Sequence, residues 1–252
     1  MINNYKRYEI FGIPISAITL ECIFTEVRNS LQEHRKMTIG YSNIHGMNLA
    51  WEDPSFKNAF SVFDIIFCDG FGLKFGASLL GYNLPGRFTP PDFIHALMNV
   101  IHEEKGGVFL LGSESGVAEK AARKLKNVTP GLTIAGTHHG YFEKEKGSTE
   151  NSEVVKMIND SSPSLLIVGF GMPLQEQWVF ENRNDLHVDV VIVVGAMFDT
   201  LSGQLPRAPR IITDNGLEWL SRLLIEPKRL WRRYLVGNPL FFMRILGEKW
   251  KK

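Results

Sequence analysis

Five short apolar runs constrain this chain more than any other feature. They cover residues 37–42, 62–68, 107–111, 165–170 and 188–194, and in all but the first the apolar side chains are largely consecutive rather than alternating. A strand with one wet face alternates; a strand covered on both faces does not. Between the runs lie stretches with helical spacing, such as 16–34, where Leu20, Ile23, Phe24, Val27 and Leu31 share one face. Further helices are expected at 45–60 with a break near Pro54, at 91–104, from the end of GSESG to about 127, at 151–160 and at 175–184. A short sixth strand is expected at 132–137. Strands that alternate with helices predict an α/β fold, a parallel sheet with helices on both faces.

The character of the chain changes at SGQLPRAPR. We expect an α/β domain over 1–205 and a basic, amphipathic helical appendage over 206–252. From 207 onward there are 11 Lys+Arg and 4 Asp+Glu, a net of +7; with 28 and 27 in the whole chain, the rest holds 17 against 23, a net of −6. A basic tail on an acidic body suits an anionic partner, although a solvated basic helix gives the same count. Within the tail, Leu217, Leu220, Leu223 and Leu224 form an apolar stripe, as do Leu230, Trp231, Tyr234 and Leu235. Arg222, Arg229, Arg232 and Arg233 lie among them. Arginines in that setting suit phosphate contacts or a membrane surface. The alternative is a helix packed on the body with its charges in water. Nucleic acid fits less well than either, because the tryptophans and leucines keep helical spacing.

With 252 residues the chain can bury a substantial core. Its two cysteines, Cys22 and Cys68, sit in apolar segments and read as buried thiols without a disulfide framework or zinc spacing. The first residues lack the apolar centre of a signal peptide, and no run approaches the ~18 apolar residues of a spanning helix. The expectation is a cytoplasmic protein, with attachment to a membrane surface still open.

In open parallel sheets, ligands bind beyond the carboxyl ends of the strands. Four such ends carry polar or glycine-rich groups: YSN (41–43), CDG (68–70), LGSESG (111–116) and GFGMPLQEQW (169–178). Asp69 ends the run at 62–68 and opens a glycine-rich turn into a helix. It is a candidate catalytic carboxylate, or a residue that caps the next helix. Gly112 begins a strand-to-helix loop whose N–H groups can hold a phosphate, or which is a tight turn. No Walker loop, G-x-G-x-x-G, Asp-x-Asp or G-x-S-x-G is present. His138 and His139 are adjacent and cannot both face one ion from a strand. No metal site and no cofactor are expected.

Together these segments resemble the WecG/TagA/CpsF family of bacterial glycosyltransferases (glycosyltransferase family 26), over residues 8 to 246. The pieces that carry the resemblance are the Asn of YSN, CDGFG, the Arg and Asp of RFTPPD, GMPLQEQW, GAMFDTLSGQLPRAP and GLEWLSRLLIEPKRLWRRYL. The resemblance implies a Rossmann-like enzyme that moves a sugar from a UDP-sugar to a polyprenyl-diphosphate-linked sugar. Transfer would invert the anomeric centre without a metal, at the inner face of the membrane. The sugar would be of the N-acetylmannosamine type or a related hexose or uronic acid, and a homo-oligomer is allowed. Position by position, it makes Asp69 the general base. It makes Asn43 and Gln175 pocket residues near the donor, Arg87 a pocket arginine, and Arg222, Arg229 and Arg232 the arginines that meet the lipid diphosphate; Asp92 of the RFTPPD motif and Gly112 of the glycine-rich loop are expected to bind substrate as well. Two departures are Tyr41, where the family often has Thr, and Thr89-Pro90-Pro91-Asp92, where it often has T-G-x-D. A non-catalytic nucleotide-sugar- or lipid-binding regulator on the same fold is the alternative.

Overall fold

The computed structural model describes residues 5–206, 208, 212–213 and 216–250. Its centre is a six-stranded, all-parallel sheet in the order β4-β3-β8-β7-β5-β6. The strands are β3 (Met37–Ser42), β4 (Ile65–Cys68), β5 (Gly107–Gly112), β6 (Thr133–His138), β7 (Leu165–Gly169) and β8 (Val190–Val193). Every residue of β3, β4, β7 and β8 is buried, which is why the runs of β4, β7 and β8 do not alternate; β3, MTIGYS, alternates and buries its small and polar residues too. The chain leaves β3 toward β4 on one side, then crosses to build the other side and returns to β8 beside β3. The direction of winding reverses between β3 and β8, where doubly wound sheets form their ligand crevice.

The covering helices are α1 (Leu20–Gln32), α2 (Ile44–Glu52), α3 (Pro54–Ala59), α4 (Phe71–Leu79), α5 (Pro90–Glu103), α6 (Val117–Val128), α7 (Thr149–Asp160), α8 (Leu174–Asn182) and α9 (Met197–Ser202). Helix α1 packs on α5 and β8, while α3 packs on α2 and α8. The expected break at Pro54 is present: Asp53 caps α3 by accepting hydrogen bonds from Ser55 N (2.8 Å) and Phe56 N (3.3 Å).

The first helix does not begin at residue 16. An antiparallel hairpin precedes it, β1 (Arg7–Ile10) and β2 (Ile13–Ser16), joined by a two-residue turn in which Phe11 and Gly12 both have positive φ, 51° and 82°. Ser16 ends β2, and its Oγ accepts from Ile66 N (3.2 Å). Thr19 is the true N-cap of α1, accepting from Cys22 N (3.3 Å). Cys68 is buried as expected, whereas Cys22 is only half-buried; both are free thiols.

The appendage consists of α10 (Glu218–Ile225), α11 (Pro227–Trp231), a π-turn over Arg232–Val236, and α12 (Gly237–Lys249). Helix α12 packs on α2 and α4. Phe241 and Ile245 are fully buried there, Gly76 leaves room for the Phe241 ring, and Phe11 of the hairpin turn meets Phe241 edge-on at 5.9 Å. Asn48 of α2 donates to Gly237 O (2.8 Å) and accepts from Arg244 through its Oδ1 (2.9 Å). Among the described residues, no helix is long and apolar enough to cross a membrane.

Candidate active site

The carboxyl ends of β3, β4, β7 and β8 open into one cavity of about 1050 Å³, and α10, α11, the π-turn and α12 form its far wall. That volume is at the upper end for a single small-molecule site, so there is space for two ligands side by side. Three of the four expected strand ends line it, through Asn43, Asp69 and Gly171. LGSESG does not. Its place is taken by the end of β8, Val194–Met197, which the sequence reading passed over. Gly112 answers to backbone packing instead. It sits opposite Gly169 in the sheet at φ +151°, and a Cβ on it would lie 2.4 Å from Gly169 O.

Asp69 does not cap α4. The N-cap of that helix is Gly70, at φ 88°, with no side-chain capping bond. The Asp69 backbone N–H donates to Ser42 O (2.8 Å), extending the β3–β4 ladder by one step. Its carboxylate Oδ2 accepts from Asn43 Nδ2 (3.0 Å). Asn43 is itself the N-cap of α2, where Oδ1 accepts from Gly46 N (3.1 Å). One amide thus both starts a helix and holds the carboxylate. Burial pushes the Asp69 carboxyl up to about 6; Asn43 draws it down, Glu218 pushes it up, and Arg233 and Arg222 draw it down. The result is a carboxylate that is mainly ionised at neutral pH yet basic enough to take a proton.

Two other lining groups are held neutral. Burial, with the positive charge of Arg233, pushes His45 down to about 4. Burial raises the Tyr41 phenol well above its ordinary range. The Tyr41 hydroxyl occupies the space a Cβ would need at Gly195, 2.5 Å away, and Gly195 has φ +59°.

The remaining expected residues fall at different depths. Gln175 is fully buried below the cavity surface, where its Oε1 accepts from Gly171 N (3.2 Å) and Gly195 N (2.9 Å). Arg87 stands behind the wall, its guanidinium 4.4 Å from the centre of the lining Phe71 ring and donating to Thr213 O (2.9 Å). Asp92, in the first turn of α5, accepts from Thr89 Oγ1 (2.6 Å), and Thr89, Pro90 and Pro91 are the residues of that segment that reach the cavity.

The appendage arginines differ from one another. Arg222 lines the cavity and its Nε is buried without a partner. Arg229 lines it as well but is bound in a fork to Glu226, at 2.8 Å and 2.5 Å. Arg232 is exposed outside the lining, 5.9 Å from the Trp231 ring centre. Arg233 takes the inward position, again with a buried, unpartnered Nε. Arg233 stands four residues after Arg229, on the same side of the chain, and Tyr234 follows Leu230 inward in the same way. The spacing from Arg229 was the signal in the sequence that could have found Arg233. Aromatic rings Trp219 and Tyr234, 5.9 Å apart, complete this wall. Among the described residues no group of three His, Cys, Asp or Glu converges as a metal site would require.

A protein of Staphylococcus aureus (strain NCTC 8325 / PS 47), named N-acetylglucosaminyldiphosphoundecaprenol N-acetyl-beta-D-mannosaminyltransferase, is 27% identical over 251 residues, 99% of this chain and 96% of the relative. A protein of the same name from Bacillus spizizenii (strain ATCC 23059 / NRRL B-14472 / W23) is 32% identical over 200 residues, 79% of this chain and 75% of the relative. Residues 8–252 match the glycosyl transferase WecG/TagA/CpsF family, to which the chain belongs.

Proposed function

We propose that this protein transfers a sugar from a UDP-sugar to a sugar carried on a polyprenyl diphosphate, with inversion and without a metal. The observation that carries the reading is Asp69: a half-buried residue with its carboxyl near pKa 6, aimed by Asn43 and faced by Arg222 and Arg233 across the cavity. Asp69 takes the proton of an acceptor hydroxyl as that oxygen attacks the anomeric carbon. The bond from that carbon to the diphosphate oxygen breaks, and its electron pair leaves with the diphosphate. One displacement inverts the centre. Fixed arginines in a cavity partly closed to water stabilise the departing charge without reorganising. The names of the relatives support an N-acetylmannosamine donor sugar and an N-acetylglucosaminyl-diphospholipid acceptor. Tyr41 and Pro90-Pro91 lie on the cavity surface and are the residues that would adjust that preference.

The appendage also suits a membrane surface at the inner face of the cell membrane. Leu224 and Trp250 are 75% and 87% exposed, with Trp231, Leu235 and Met243 also outward, among exposed Lys228 and Arg232. The deciding experiment is UDP release from a panel of UDP-sugars, with and without an N-acetylglucosaminyl diphosphate on a short lipid. Release that needs the acceptor, persists in EDTA and is lost in Asp69→Asn supports the reading. Loss in EDTA with recovery in Mg²⁺ or Mn²⁺ removes the metal-free step. Binding of UDP-sugar with no turnover on any acceptor leaves a regulator.

A further inference from the structure

Directly below the cavity floor lies a buried acid that the proposed chemistry does not use. Glu176, in the first turn of α8, is fully buried and no arginine, lysine or histidine pairs with it among the described residues. Its Oε1 accepts from Gln175 Nε2 (2.7 Å), and its Oε2 has no hydrogen-bond partner. A buried carboxyl with one oxygen left unpartnered is unfavourable. Burial pushes it up to about 7. Stability alone therefore does not account for an acid at this position.

The neighbour it touches offers an account. The Gln175 oxygen ties together two backbone N–H groups from separate loops, Gly171 after β7 and Gly195 after β8, and both loops form cavity surface. A side-chain amide has an oxygen end and a nitrogen end of nearly the same shape. Turned over, Gln175 would present NH2 to two N–H donors and leave both unsatisfied. Glu176 supplies an acceptor on the nitrogen side. We propose that Glu176 is a positioning residue: its carboxyl oxygen fixes the Gln175 amide, and through it the spacing of the Gly171 and Gly195 loops. It acts through Gln175 and touches no substrate.

The consequence for transfer rests on the function proposed above, but the loop geometry can be read without it. The test compares Glu176→Leu, which removes the acceptor, with Glu176→Gln, which keeps a carboxamide oxygen in its place. Amide hydrogen exchange by NMR is followed at Gly171 and Gly195, with Ile167 and Ile192 in the strands as references. In the leucine variant the two glycine amides should exchange at least about 10-fold faster, with the strand amides unchanged. The glutamine variant should keep wild-type protection. With the short-lipid acceptor, kcat/KM should fall about 10-fold in the leucine variant and recover in the glutamine variant. Unchanged glycine protection in Glu176→Leu overturns the proposal, as does a leucine variant that fails to fold, since Glu176 would then be holding the fold. A glutamine variant as exposed as the leucine one also overturns it. If wild type transfers no sugar at all, the functional reading fails and the exchange result still decides this one.

Discussion

Between about pH 5 and 8 the Asp69 carboxyl changes charge, and the change acts on activity and stability in opposite directions. If the ionised form takes the proton, kcat/KM should rise about tenfold per unit below pH 6 and level off above pH 7, with Asp69→Asn lower by roughly 10²-fold on the plateau and lacking this rise. In the unfolded chain the same carboxyl titrates near 3.8, so its folded value is raised. The folded state then holds a proton that the unfolded state has lost. That contribution is complete below about pH 4 and disappears as pH rises through about 6. Asp69→Asn should accordingly gain Tm relative to wild type as pH rises from about 4 to 6, with the difference level above about 7. A difference that stays flat would mean that the carboxyl is not buried from water as described. Asp69 was readable from its place at the end of an apolar run. His45 was not, because its neutral state depends on burial in the folded chain and then on Arg233, almost two hundred positions away.

At the scale of elements, the π-turn over Arg232–Val236 sends Arg232 to solvent and Arg233 inward. Arg233→Ala should lower kcat/KM by roughly 10²-fold, as expected for one lost donor to a developing charge. Arg232→Ala should stay within about twofold, and the reverse ranking in a steady-state assay would place the wrong arginine in the cavity. The join between α12 and α2 makes a separate prediction. Arg244 is nearly buried, bonds Asn48 and Glu52, and lies 5.4 Å from the centre of the Trp51 ring. Arg244→Ala should cost about 1–3 kcal/mol in chemical denaturation, from bonds to a charged group that leave Asn48 unsatisfied. Strands β4, β5, β7 and β8 were legible to within a few residues because burial on both faces writes a continuous apolar run. The hairpin was not. Its turn is Phe-Gly rather than Asn-Gly, Pro14 sits in its second strand, and its burial comes from β4 and α12 rather than from its own pattern. Which strand ends meet was illegible for a related reason: neighbours in the sheet follow the order β4-β3-β8-β7, which no local pattern encodes.

For the whole molecule, the question is what the body can do without its appendage. All six strands of the sheet end before Gly195, so a chain cut after Ser202 should retain the sheet and give a cooperative melt by circular dichroism. It would lack Arg222, Arg229 and Arg233, and would expose the surface that Phe241 and Ile245 cover. We expect transfer to fall below about 1% of full length even on a short, water-soluble acceptor, and binding to anionic vesicles to fall with it. In the full-length protein, salt should weaken vesicle binding without abolishing it, since screening reduces the basic contribution of about 1 kcal/mol per residue and leaves apolar insertion. A truncated body that matches full length on the short acceptor would reduce the appendage to an anchor.

The edge-on meeting of Phe11 with Phe241 places an early-made residue against a late-made one. A nascent chain leaves the ribosome with its hairpin and sheet well before α12 is synthesised, and domains fold as they emerge. The apolar seat on α2, α4 and the hairpin turn therefore stands empty during translation, next to a cavity that has its carboxylate but not its arginines. On the proposed function, the chain is expected to stay inactive until α12 docks. A ribosome-stalled chain that displays residues 1–225 but holds back α12 should be folded and silent, and should gain activity on release.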